Sequence, residues 1–283
     1  MYQKIMRKIN SHPSSAIKLI RNLIKRHRKA CVNCGSIGTL EIHHTDKRGI
    51  QTLLCRSCNK TFSELFGTIF YRSKIPLSVW CIAILEWIIS TGSVSAAEIG
   101  RKTGISHPSA WRMLMKIRAS LVEKNLQILL EDTVESDEAW FGRKANQDIV
   151  LGLVQRHQRK LRFFMIPNVK EKTLYPLIKE NVQFGSNFYT DARITYAITG
   201  VYYEHHTVNH SKYEFARGDV HTNTIEQIWG WMKGIIRTIH HGISKKYRHL
   251  YLAQFAFRYE NERSSNLFFL TLSKLFHPTY CLI

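Results

Sequence analysis

Two sets of residues in this 283-residue chain have the type and spacing for chemistry. The first is thiol. Cys31-Val-Asn-Cys34 and Cys55-Arg-Ser-Cys58 are CxxC pairs with twenty residues between them. This is the spacing of a four-cysteine zinc ribbon: each short turn aims two thiolates at one ion, and the intervening segment folds back as a hairpin. Such a site is closed and structural. Disulfides or unliganded thiols are the alternatives, and the reducing interior expected for this chain disfavours the first. His43 and His44 fall in the loop, but isolated histidines are more often surface or core residues. Cys81, in an apolar run, and Cys281, near the end, read as bystanders.

The second set is carboxylate. In HTNTIEQIWGWMK, residues 221–233, Glu226 and Lys233 lie seven apart, two helical turns. Ile225, Ile228, Met232, Ile235 and Ile239 recur at three- and four-residue steps as a buried stripe, with the acid and the amine beside it. The same stretch also reads as a helix start, with Asn223 as amide cap and Glu226 as its reciprocal acid. Upstream, residues 134–141 alternate as a strand. Glu135, Asp137, Ala139 and Phe141 share one face, and Ser136, Glu138 and Trp140 share the other. Residues 187–191 form a short strand ending in Asp191. Taken singly, Asp137 is a strand residue, Asp191 a loop acid and Glu226 a capping partner. Brought together, three carboxylates could hold a divalent cation through hard oxygen ligands.

The elements that must position these acids follow in order. Residues 149–155 and 161–167 read as the next two strands, 172–181 as a helix, and 205–208 as a fifth strand before the helix carrying Glu226. Three strands, a helix, two further strands and a closing helix is the element order of an RNase H-like α/β domain. There, adjacent central strands bring Asp137 and Asp191 together and the helix adds Glu226. Glu135 and Glu138 are nearby competitors, Glu138 on the opposite strand face.

Between the cysteines and the strands the pattern is helical. Residues 77–90 form a helix after Pro76 that Thr91-Gly92 breaks. In SAAEIGRKTG, Ser95 and Glu98 make a capping box and Gly104 a turn, and Ser106 with Pro108 opens the helix HPSAWRMLMKIRASL. Two short helices joined by a Gly-containing turn make a helix-turn-helix. Ala110, Leu114, Ile117 and Leu121 form its buried stripe, leaving Ser109, Arg112, Lys116 and Arg118 outward for bases or phosphates. A small helical bundle with a solvated basic face is the competing reading.

Charge favours nucleic acid. Lys and Arg number 41 against 21 Asp and Glu, a net charge of +20 with a pI near 9.8. Residues 1–72 hold 14 of the cations and 3 of the anions, so the front is the expected docking end. The opening MYQKIMRKIN has no apolar run after it, so no secretory signal is expected. The longest apolar run, residues 79–89, is too short for a bilayer and contains Glu86.

The chain resembles bacterial insertion-sequence transposases of the ISXO type, which are similar to the eukaryotic Merlin elements. The matching stretches are FSELFGTIFYRSKIPLSVW, SDEAWFGRK around Asp137, YTDARITY around Asp191, VNHS, HTNTIEQIWGWMK and HLYLAQFAFRYENER. They run from about Cys31 to Arg263. The 34 residues between Asp191 and Glu226 are also typical of the triad of transposases and integrases.

The resemblance implies an α+β multidomain chain: a basic helical segment (1–30), a zinc ribbon (31–73), a helix-turn-helix region (74–131) and an RNase H-like catalytic domain (132–283). By motif, Asp137, Asp191 and Glu226 are the three acids that hold magnesium (two ions, or Mn²⁺). Asn223 is an alternative third ligand, and Lys233 is the lysine that contacts DNA near the reacting end. Zn²⁺ is implied on Cys31, Cys34, Cys55 and Cys58. The implied partners are double-stranded DNA, as terminal inverted repeats and target, and a second copy of the chain; the implied setting is the bacterial cytoplasm. The departures are Gly142-Arg143 where members often have Gly-Gly, Gln254 where they have an acid, and Arg258-Tyr259-Glu260-Asn261 where they have RYN. A DNA-binding regulator with an inactive transposase domain, and a general RNase H-like nuclease, are the rival functions.

Overall fold

The computed structural model describes residues 4, 7, 9, 11–122, 128–142, 147–192, 201–209 and 212–275, with the side chain of His27 left out. Arg143, residues 193–196 of YTDARITY, His210, Ser211 and Cys281 lie outside the described residues. Contacts divide the chain into two units: Met1–Leu121 with Ser264–Ile283, and Val122–Arg263.

The first unit opens with α1, Ser14–His27, which buries Ala16, Ile20, Leu23 and Ile24, one stripe at helical spacing. Strands β1 (Leu40–Thr45), β2 (Gln51–Cys55) and β3 (Thr61–Ser63) then form an antiparallel sheet in that order. Glu64 beyond β3 pairs with Arg21 of α1 at 2.8 Å, and its carbonyl accepts from Arg28 at 2.7 Å. Those two cations of the basic front therefore serve the unit itself.

Three helices follow: α2 (Leu77–Ile89), α3 (Ala96–Thr103) and α4 (His107–Ser120). The Ser95 hydroxyl accepts from the Glu98 amide at 3.1 Å, and Gly104, at φ +72°, ends α3 in the left-handed conformation that glycine adopts freely. Glu86, the acid of the apolar run, ties α2 to Lys102 of α3 at 2.6 Å. On α4 the stripe of Ala110, Leu114, Ile117 and Leu121 is buried as expected. Arg118 corrects the expectation that it faces outward: it is 1% exposed. It stands four residues after Leu114 and three before Leu121, so it belongs to the same row of the helix surface. The last helix, α8 (Leu267–Lys274), comes from the 132–283 stretch but packs on α1 and α2.

The second unit is built on a five-stranded sheet. Its strands are β4 (Thr133–Phe141), β5 (Asp148–Gln155), β6 (Lys160–Ile166), β7 (Asn187–Asp191) and β8 (Glu204–Val208), in the order β6-β5-β4-β7-β8. β4, β5 and β6 are antiparallel neighbours, whereas β7 runs parallel to β4, and β8 to β7. The face carrying Val134 is covered by α5 (Glu171–Asn181), whose Leu174 and Ile178 join Val134, Leu151, Leu153 and Phe188 in one core. On the Asp137 face, α6 (Asn223–Thr238) packs on β4 and β5, and α7 (Arg248–Asn261) packs on β6. Three antiparallel strands continued by two parallel ones, with helices on both faces, is the RNase H-like architecture expected from the element order. No helix among the described residues is long and apolar enough to cross a membrane.

Candidate active site and metal centre

The four cysteines meet at one end of the small sheet. Cys31 and Cys34 flank a tight turn in which the Gly35 amide donates to the Cys31 carbonyl, and Cys55 closes β2. Cys31 and Cys58 Sγ are 3.8 Å apart, and Cys34 and Cys55 Sγ 3.7 Å. All four sulfurs lie within 4.8 Å of one another. A tetrahedron with zinc–sulfur bonds of about 2.3 Å has edges of about 3.8 Å, so the donor set and its spacing fit structural zinc. Cys55 Sγ lies 3.4 Å from the Ser36 hydroxyl and 3.3 Å from that of Thr39, and these hydroxyls pull its thiol down to about 5, toward the thiolate that metal needs. His43 and His44 sit exposed on β1, outside this cluster.

The acids lie in the second unit. Parallel pairing matches Val134 with Phe188 and Glu135 with Tyr189. Continued by two residues, that register sets Asp137 level with Asp191, one pleat past the last paired positions and on the same face of the sheet. Asp137 Oδ2 accepts from the Trp229 indole Nε1 at 3.1 Å. Trp229 lies on α6 one turn after Glu226, so the helix that carries Glu226 also orients Asp137. Lys233, one turn further on, is exposed, with its Nζ 5.8 Å from the centre of the Phe141 ring on β4. Among the described residues, the cysteines form the one group of three or more such ligand atoms drawn close together; no such group joins Asp137, Asp191 and Glu226.

The start of α6 departs from the expected capping box. Asn223 is the first helical residue rather than the cap. The Thr222 hydroxyl donates to Glu226 Oε1 at 2.7 Å, and the Ile225 amide donates to Glu135 Oε2 at 2.9 Å. Glu135, weighed in the sequence only as a competitor for Asp137, is fully buried and takes the capping role from the sheet. Nothing local announces this bond, since ninety residues separate its partners. Gly152, opposite Asp137 on β5, was also missed. A Cβ there would meet Trp229 and Ile225, and the signal was a lone glycine inside the apolar strand DIVLGLVQ.

Around Asp191, His205 Nε2 lies 2.9 Å from Thr190 Oγ1, which donates to the Asp191 carbonyl at 2.8 Å. Burial, with His206 as a lesser cause, holds His205 below the usual imidazole range. Arg112 is exposed and Lys116 half-buried on α4. Gln254, at the position of an expected acid, is fully buried in α7, and Glu260 accepts from the Leu161 amide at 2.9 Å.

The strand order and the helices on both faces of the sheet give an RNase H-like domain. Residues 129–260, which contain all three acids, match the ISXO2-like transposase domain. A transposase-like protein of Haemophilus influenzae is 33% identical over 103 residues, covering 36% of this chain and 82% of that one. A protein in transposable element ISH50 of Halobacterium salinarum is 25% identical over 276 residues, covering 87% of this chain and 90% of that one. The chain belongs to the ISXO2-like transposases.

Solved structures with some likeness are a chain of the simian T-cell lymphotropic virus intasome and the catalytic core of BIV integrase. The first has 14% identity and a TM-score of 0.33, covering 58% of this chain and 64% of that one. The second has 10% identity and a TM-score of 0.31, covering 45% and 84%.

Proposed function

We propose that this transposase binds the ends of an insertion sequence and performs DNA cleavage and strand transfer with Asp137, Asp191 and Glu226 as its acids. The observation that supports this is the parallel register of β4 and β7, which pairs Glu135 with Tyr189 and, continued by two residues, would bring Asp137 level with Asp191. The donors are hard carboxylate oxygens from three separate segments, the chemistry Mg²⁺ or Mn²⁺ favours. When bound, a pair of such ions would activate the attacking oxygen, stabilise the leaving one and offset phosphate charge.

The chain's own contribution is positional. The Trp229 indole fixes the Asp137 carboxylate, and the Thr222 hydroxyl holds Glu226. From Gln227 to Tyr259 the sequence contains no acid, and Lys233, Arg237 and Lys246 are exposed along it, suited to phosphates. In the first step water attacks a phosphorus at the element's end. The bond to the departing oxygen breaks, and that oxygen takes a proton as a 3′-hydroxyl. In the second step this hydroxyl attacks a target phosphodiester in the same way.

End recognition falls to α3 and α4 read as a helix-turn-helix, with Arg112 and Lys116 toward DNA and the zinc-held ribbon beside them in sequence. A pair of chains would bring two ends together, in the bacterial cytoplasm.

The test is a strand-transfer assay with Mg²⁺ on end-containing DNA. Asp137→Asn, Asp191→Asn and Glu226→Gln should each lose cleavage while still binding DNA. Activity that survives Asp137→Asn or Asp191→Asn sinks the mechanism. End binding by a wild type that never cuts would favour the regulator.

A further inference from the structure

Arg156 follows β5 at the start of the turn into β6, and its guanidinium meets the strands that carry Asp137 and Asp191 and the stretch that leads into α6. Nε donates to Glu135 Oε1 at 2.5 Å, Nη1 to the Asp219 carbonyl at 2.7 Å and Nη2 to the His221 carbonyl at 2.6 Å. Nη2 also lies 2.9 Å from His221 Nδ1, which must accept because a guanidinium only donates. The group sits over the Tyr189 ring at 4.8 Å. The other oxygen of Glu135 receives the Ile225 amide.

These contacts fall at matching heights. Glu135 is two residues before Asp137, Tyr189 is two before Asp191, and Ile225 is one before Glu226. Side chains two apart on a strand share a face, so the Arg156–Glu135 pair lies one pleat below both strand acids and against the first turn of the third. We infer that Arg156 and Glu135 are the positioning pair of the three-acid site: they set the height and approach of Glu226 relative to Asp137 and Asp191. This deepens the proposed function and rests on it.

A buried ion pair is a weak source of net stability, because desolvation offsets most of its attraction; its best-attested use is to fix registry. The planar fork reaches Glu135, Asp219 and His221 at once, which a single ammonium cannot do. The pair touches no reacting atom. Its loss should therefore loosen geometry while leaving DNA binding intact.

The experiment compares wild type, Arg156→Lys and the double variant Glu135→Gln with Arg156→Met. The double variant leaves no buried charge unpaired and keeps an acceptor for the Ile225 amide. Hydrogen exchange at the Ile225 and Glu226 amides is the readout that needs no activity, and it should speed up about tenfold in both variants while α5 stays unchanged. With Mg²⁺, end cleavage should fall about 100-fold in the double variant. It should fall less in Arg156→Lys, and the Mg²⁺ concentration for half-maximal rate should rise in both, with DNA affinity within about twofold of wild type.

Unchanged exchange at Ile225 and Glu226 in the folded variants overturns the inference. So does cleavage that matches wild type at every Mg²⁺ concentration, or a loss that tracks melting temperature and DNA affinity alone. If the double variant does not fold, Arg156→Lys decides by the same measures. A wild type that never cleaves counts against the proposed function, and exchange still decides the positioning role.

Discussion

Trp229 leaves no space for a side chain at Gly152: a Cβ there would stand 2.6 Å from the indole and 2.8 Å from Ile225 Cδ1. The same indole bonds Asp137, which is paired with Gly152 across the β4–β5 ladder. Packing and acid placement are thus one arrangement. Trp229 is 4% exposed and wedged against Phe141 and Phe163, with ring centres 6.0 and 5.1 Å away, so it cannot swing aside at small cost.

Gly152→Ala should therefore destabilise the second unit by about 1–3 kcal/mol, the usual cost of overpacking, and displace the Asp137 carboxylate. Urea unfolding would read the first effect and end cleavage the second. A variant as stable and as active as wild type would show that the indole relaxes freely.

Asn223 and Glu226 make a second contrast. Asn223 is a helical residue and not the cap, whereas Glu226 is held by Thr222 on the turn that Glu135 anchors. Asn223→Ala should cost under about 1 kcal/mol in stability and leave most cleavage, since an exchange inside a first turn removes no cap. Glu226→Gln should abolish cleavage. The reverse pattern in a cleavage assay would assign the third ligand to Asn223.

What the sequence revealed and what it concealed follow from the range of the interactions. The Ser95–Glu98 cap spans three residues and was legible, as was the alternation that puts Glu135 and Asp137 on one face. The element order followed from periodicity. The capping of α6 by Glu135, the Arg156 contacts and the packing of α8 on α1 and α2 each join distant segments, and no local pattern encodes them. Arg118 was misread for another reason: one polar residue on the edge of an apolar stripe looks outward until the packing around it is known.

His205 gives a pH dependence. Its folded value lies below the unfolded value of about 6.5, because burial disfavours the imidazolium. The unfolded chain then binds a proton that the folded chain does not, so stability rises with pH in this window. The contribution is complete above about pH 6.5 and is lost as pH falls through the folded value. Urea midpoints for wild type should drop between pH 7.5 and 5.5 by more than those for His205→Gln, which keeps a donor for Thr190. Equal drops would remove His205 from the account.

Zinc should be a folding ligand for the ribbon. The core beneath the small sheet comprises Cys31, Cys55 and Phe62, with Leu40, Leu53 and Cys58 packed against it, too little apolar surface to fold without cross-links. Cys31→Ser or Cys58→Ser, or a strong chelator, should unfold the ribbon and expose its remaining thiols to reagent while β4 to β8 keep their structure. Metal analysis of reduced protein should give about one zinc per chain. Its absence from a folded ribbon would reject the site.

The correction at Arg118 separates two arginines on one helix. Arg112 is exposed and Arg118 is buried beside the stripe of α4. If α4 meets DNA, Arg112→Ala should weaken end binding, and a phosphate contact there would lower the slope of log affinity against log salt by about 1. Arg118→Met should leave that slope unchanged and act on stability instead, because a buried cation releases no counterion when DNA arrives. Binding titrations from about 50 to 200 mM salt would distinguish them. A slope lowered by Arg118→Met and untouched by Arg112→Ala would mean that the helix presents another face, and that its fold rearranges on DNA.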